Sequence, residues 1–128
     1  MLMLAAAADT IRMSLQEIVV MIHEGEYGRA IASLEFVVKD ESRPPQTRVE
    51  CCRWLAECNH RLEEYKEAGD WYIEAVRIVL RTDADNRPKA KQALPLCGKA
   101  LEAYEKGGDP ADVLVAARVK QYLVGLDR

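Results

Sequence analysis

Three observations predict an all-α fold. Apolar residues recur at intervals of three and four along most of the chain. Ala, Leu, Glu, Arg and Val dominate a composition that holds one Phe and seven Gly. No sustained alternation of period two marks a strand. The 128 residues read as one domain, 1–128, and helices of this total length bury roughly two-thirds of the unfolded-chain surface. The net charge of −3, with both signs interleaved, offers no basic stripe to a nucleic-acid backbone, so no nucleic-acid partner is expected.

The elements follow in order. Asp9 or Thr10 can cap helix one, and Ser14 with Glu17 forms a second capping box. Ile11, Met13, Leu15, Ile18, Val19, Val20, Met21 and Ile22 make this helix apolar on nearly every side, more than a terminal helix with one neighbour needs. The surplus is expected to be covered by residues 1–8, a second subunit or a ligand. Helix two covers 27–39 after a turn at Gly25 and Glu26. Pro44 and Pro45 prevent continuation but are tolerated where helix three begins, and that helix runs to Arg61. Helix four covers 64–81, with Arg77 and Arg81 suiting the negative end of its dipole. Residues 82–91 read as a polar loop. Helix five then runs to Lys106, with Pro95 in its first turn or at a kink. Asp109 caps helix six, Pro110 takes its first position, and Asp112 lies on the first turn. Helix six shows two apolar sides, Val113, Ala117 and Val124 on one, Val115, Val119, Tyr122 and Leu126 on the other.

Residues 51–80 form the centre of this pattern. Cys51, Leu55, Cys58 and Leu62 share one stripe, and Tyr65, Ala68, Tyr72, Ala75 and Val79 share another. Small residues on such a stripe let backbones approach while tyrosines fill the space around them, which predicts an antiparallel helical hairpin. A shift of 38 residues backward finds Tyr27, Ala30, Leu34 and Val37 at the same spacing. A shift of about 45 forward finds Tyr104, a turn at Gly107, Gly108, Asp109 and Pro110, and then Val113 and Ala117.

The run Tyr65, Ala68, Tyr72, Ala75 resembles the second helix of a tetratricopeptide (TPR) repeat. Cys52, Leu55, Ala56 and Asn59 match its first helix in part, with Cys and Asn standing where Trp and Tyr are usual. The periods exceed the usual 34, and the excess falls in SRPPQ and RTDADNRPKAKQ. The resemblance implies a right-handed α-α superhelix of about three hairpins and six helices, with repeats at roughly 10–41, 45–82 and 92–126. It also implies a protein-protein interaction adaptor or scaffold, whose first helices line a concave groove for a partner peptide or helix with apolar and acidic features. Carried over by position, the partner-binding residues are Arg12, Leu15, Gln16 and Val19; Arg53, Trp54, Glu57 and Arg61; and Lys99, with His23, His60, Glu102 and Lys106 beside them. Leu15 and Val19 stand where the chaperone-tail class of TPR carries Lys and Asn, so a clamp for a terminal carboxylate is not expected. Trp54 lies off the buried stripe and reads equally as a partner anchor or as packing against the next helix, whereas Trp71 reads as structural.

Two alternatives belong to other classes. One is a self-associating structural protein, a homodimer through helix one or helix six; the other is a small helical chaperone. An enzyme is not expected, because His23 and His60 are the only histidines and neither a phosphate loop nor a nucleophile elbow is present. No metal or cofactor is expected either, since one helix cannot turn Cys51, Cys52, Cys58 and His60 onto a common ion. Together with Cys97 these cysteines read as buried, reduced thiols. Residues 1–8 are too short and lack the Lys or Arg of a secretion signal, and no apolar run is long enough to span a membrane, so a cytoplasmic location is expected.

Overall fold

The computed structural model describes residues 14–128. These residues form six helices and no strand: α1 (Leu15–His23), α2 (Tyr27–Lys39), α3 (Pro45–Arg61), α4 (Tyr65–Leu80), α5 (Asn86–Gly107) and α6 (Pro110–Leu126). Each helix packs chiefly on the next one in the chain. Short connections after α1, α3 and α5 leave room only for antiparallel return, which makes three hairpins.

Local chemistry sets most boundaries. Ser14 caps α1 by accepting the Glu17 N–H at 3.2 Å; Asp9 and Thr10, the other expected caps, lie outside the described residues. The Asp40 carboxylate ends α2 by accepting both the N–H (3.1 Å) and the hydroxyl (2.6 Å) of Ser42. Those two bonds hold the Asp40 pKa below the usual carboxylate value. Pro45 opens α3 and Pro110 opens α6, each where a missing N–H costs nothing. Asp109 accepts from Ala111 N at 2.9 Å.

The three hairpin turns each carry one left-handed residue, and the first two correspond residue by residue. Gly25, Glu63 and Gly108 all take left-handed backbone, with φ of 81°, 60° and 81°. In the first turn Gly25 N bonds to Ile22 O (3.0 Å) and Glu26 N to Met21 O (2.9 Å); in the second Glu63 N bonds to His60 O (3.0 Å) and Glu64 N to Asn59 O (2.8 Å). The two turns therefore share one geometry at an offset of 38 residues. The third closes more simply, with Gly108 N on Tyr104 O at 3.0 Å.

One continuous core runs through all six helices. Ala30, Ala56, Ala68, Ala75, Ala93 and Ala100 are fully buried and bring backbones together, while Leu34, Leu55, Val76 and Leu123 fill the gaps. Cys51, Cys52, Cys58 and Cys97 are buried free thiols within these stripes, and Cys97 donates across the last hairpin to Ala116 O at 3.3 Å. At Gly69, α4 and α5 approach closely. A Cβ there would run into the Tyr104 ring, whose hydroxyl donates to Asp70 at 2.6 Å.

Two expectations are corrected. Residues 86–91 are helical rather than loop, and Pro95 lies inside the 22-residue α5 rather than in its first turn. Pro88 is compatible with this start because first-turn N–H groups have no helical partner. Tertiary bonds hold the turn: Lys89 donates to Leu80 O at 3.0 Å, and Arg87 donates to the carbonyls of Asp127 (3.2 Å) and Arg128 (3.3 Å). On α6 the packed stripe falls between the two expected apolar sides. Ala116 and Leu123 are buried, and Val113, Val119 and Leu126 pack against the core. Val115 and Tyr122 are exposed, because α5 is the chief neighbour of α6 and covers only one of its sides.

Candidate functional site

The predicted partner-binding residues divide into two groups in space. Arg53, Trp54, Glu57 and Arg61 of α3 and Lys99 of α5 line a single recess of about 330 Å³, joined by His23 from the end of α1 and Tyr72 from α4. Leu15, Gln16 and Val19 do not line it. Leu15 packs against the core, Gln16 is exposed and Val19 is half-buried. Arg12 lies outside the described residues.

Helical spacing explains why the α3 residues gather. Positions 50, 53, 54, 57 and 61 fall at intervals of three and four, so they share the face opposite the buried Cys51, Cys52, Leu55 and Cys58. Trp54 is half-buried: it packs against the core and also lines the recess. Trp71 packs against the core from α4.

The charges of the recess are partly neutralised within α3. Arg53 Nη1 meets Glu50 at 3.3 Å and Arg61 Nε meets Glu57 at 3.1 Å. Glu57, and after it Tyr27, raise the Arg61 pKa further above its ordinary value, so its charge is permanent. Lys99 has no ion pair among the described residues; its Nζ sits 6.0 Å from the centre of the Tyr72 ring, at the limit of a cation–π contact. Burial first, and Glu57 second, raise the Tyr72 pKa, so that ring stays neutral and its face remains a platform for cations.

Bonds between α3 and α5 continue this face on both sides. Gln92 Nε2 donates to Gln46 Oε1 at 2.9 Å. Lys106 Nζ lies 3.0 Å from His60 Nε2, and because an ammonium only donates, the imidazole accepts there. His60 in turn packs edge-on against Tyr65, with ring centres 5.2 Å apart, and Lys106 lies 5.8 Å over the same Tyr65 ring. Spacing within each helix makes His60 and Lys106 visible in the sequence; their mutual contact is not.

Three recesses are larger; one, of about 450 Å³, lies at the α5–α6 turn, and the other two lie chiefly on the second helices of the hairpins. Of these two, the first, of about 590 Å³, surrounds Phe36 on α2; the second, of about 630 Å³, surrounds Trp71. Three of the four acids of the second are already engaged, Asp70 with Tyr104 and Lys66, Glu74 with Arg77, and Asp112 with Lys66, while Glu41 has no ion pair among the described residues. Size alone would favour these recesses. The contacts of Lys99 with the Tyr72 ring and of Lys106 with the Tyr65 ring favour instead the face of α3 and α5, since aromatic and cationic anchors concentrate binding energy. Among the described residues no helix is long and apolar enough to cross a membrane. The chain matches no protein-family model, no curated protein and no solved structure.

Proposed function

We propose that this chain is a protein-interaction adaptor of TPR-like architecture, its three hairpins stacked as a right-handed superhelix with α1, α3 and α5 along the concave side. The equivalent left-handed residues at positions 25, 63 and 108 support the repeat reading, being 38 and 45 residues apart (63 − 25 and 108 − 63). One observation carries the function: Arg53, Trp54, Arg61, His23, Tyr72 and Lys99 from four helices meet in one recess, where three fixed cations outnumber the two acids, Glu50 and Glu57. A half-buried Trp between two arginines, with a free Lys opposite, is the composition of a binding anchor for a segment carrying apolar and acidic side chains.

The test is a binding comparison. A partner recovered with the wild-type chain and titrated against Trp54→Ala combined with Arg53→Ala should lose at least tenfold in affinity, since anchors of this type contribute about 2 kcal/mol. Unchanged affinity for every recovered partner would remove the groove from consideration.

A second reading, a self-associating protein, rests on α6. Its outer surface leaves Leu114, Val115, Tyr122 and Val124 between 40% and 59% exposed on one helix. Exposed apolar side chains gathered in this way are typical of an interaction surface.

A further inference from the structure

The facing residues of α3 and α5 form a ladder. Gln46 meets Gln92 and His60 meets Lys106, and in both rungs the partners are 46 residues apart. The same offset, 53 + 46 = 99, places Arg53 opposite Lys99, and both residues line the recess on either side of this middle rung. The two helices therefore run in parallel at fixed register, with rungs seven residues or about 10.5 Å apart. The outer rungs are closed by hydrogen bonds. The middle rung sets two cations against each other and cannot close on itself.

Toward the N-terminal end of this rung lies a cleft of about 300 Å³ containing Arg53, Lys91 and Lys99 with the amides of Gln46 and Gln92. Val49 and Leu96 form its apolar floor, and no carboxylate among the described residues lines it. Glu50 takes part of the Arg53 charge from the neighbouring recess. Lys91 and Lys99 have no ion pair among the described residues.

We infer that this cleft is an anion subsite that takes an acidic side chain, Asp or Glu, of the partner segment. A carboxylate placed between Arg53 and Lys99 supplies the acceptor that the middle rung lacks, and Lys91 and the two amides offer further donors at its edge. This inference rests on the groove reading above and names the chemistry of its ligand. The rung spacing adds a register. An extended segment rises about 3.3 Å per residue, so about three residues cover one rung. The side chain three positions from the acid, in the direction of the α3 C-terminus, then falls near His60 and Lys106, beside the Tyr65 ring.

The experiment uses the whole chain and a fluorescein-labelled decapeptide with three central glutamates, against the same peptide with glutamines, read by fluorescence anisotropy at low salt. The glutamate peptide should bind at least tenfold tighter, and its affinity should fall as salt is raised. Lys91→Gln and Lys99→Gln should each weaken it about threefold, and the double variant about tenfold, whereas Lys120→Gln on α6 should leave it unchanged. These lysines are exposed, so the fold persists, as far-ultraviolet circular dichroism would verify. Equal affinity for the two peptides, or binding indifferent to the double substitution, would overturn the subsite. If that happens while Trp54→Ala with Arg53→Ala still abolishes partner binding, the groove stands without its anion subsite. If neither set of substitutions matters, both readings fall together.

Discussion

Replacing Glu63 by Gly should stabilise the protein. Glu63 is an exposed residue at φ 60°, in a turn whose counterparts at 25 and 108 are glycines. An L side chain in left-handed backbone costs roughly 1–2 kcal/mol, and glycine returns about 0.4–1 kcal/mol of that through the freedom it adds to the unfolded chain. The net gain is about 0.5–1 kcal/mol. The turn bonds, Glu63 N to His60 O and Glu64 N to Asn59 O, use only backbone and survive the change. For a chain of 128 residues, an unfolding entropy of about 2.1 cal/mol/K per residue converts this gain into a rise in Tm of about 2–4 °C. Thermal and urea unfolding followed by circular dichroism would measure it, with an unchanged urea m-value as the sign that only stability moved. Glu63→Ala is the necessary control, because it removes the same charge and keeps the Cβ. If Glu63→Gly is no more stable than Glu63→Ala, backbone strain is not what position 63 contributes, and the equivalence of the three turns loses its energetic meaning.

Gly69→Ala should destabilise by about 1–3 kcal/mol, since its methyl would enter the Tyr104 ring and overpacking of a filled core costs that much; a urea midpoint equal to that of the wild type would show that the ring yields freely despite its bond to Asp70. Burial pushes the thiols of Cys51 and Cys58 up to about 11 and that of Cys52 to about 12. Above about pH 8.5, where an unfolded cysteine ionises, the unfolded chain sheds protons the native state keeps, so stability should fall as pH rises from there toward 11. Urea midpoints at pH 8, 9 and 10, with iodoacetamide labelling of the native protein, would check this. A flat profile, or labelling at the rate of a free thiol, would contradict it. Finally, if α6 mediates self-association, light scattering should give a dimer mass that Val115→Glu with Tyr122→Glu returns to monomer, whereas a wild-type monomer at every concentration would leave that surface without a second copy.

Much of the fold was legible because the signals were local. Pro44, Pro45, Gly25, Asp109 and Pro110 act on backbone within a few residues of themselves, and the helix boundaries they imply match α2, α3 and the start of α6. The start of α5 was not legible. Residues 86–91 contribute only Ala90 to the buried set, and what holds them helical is the reach of Lys89 and Arg87 to the ends of α4 and α6. The same distinction holds at the candidate site. Spacing along α3 gathered Arg53, Trp54, Glu57 and Arg61 on one face, but Leu15 shared that logic and packs against the core, since a periodic pattern identifies a stripe without saying which neighbour covers it.

By itself, then, the sequence determined helicity, turns, capping and the 38-residue recurrence, all consequences of interactions spanning at most one helical turn or one hairpin. Tertiary structure alone decided the 46-residue register between α3 and α5. That offset depends on how α4 packs between them, through the contact of Gly69 with Tyr104 and the bond from Tyr104 to Asp70. Packing of this kind set Arg53 opposite Lys99 and left their charges facing one cleft, an arrangement between side chains far apart in sequence that no local pattern encodes.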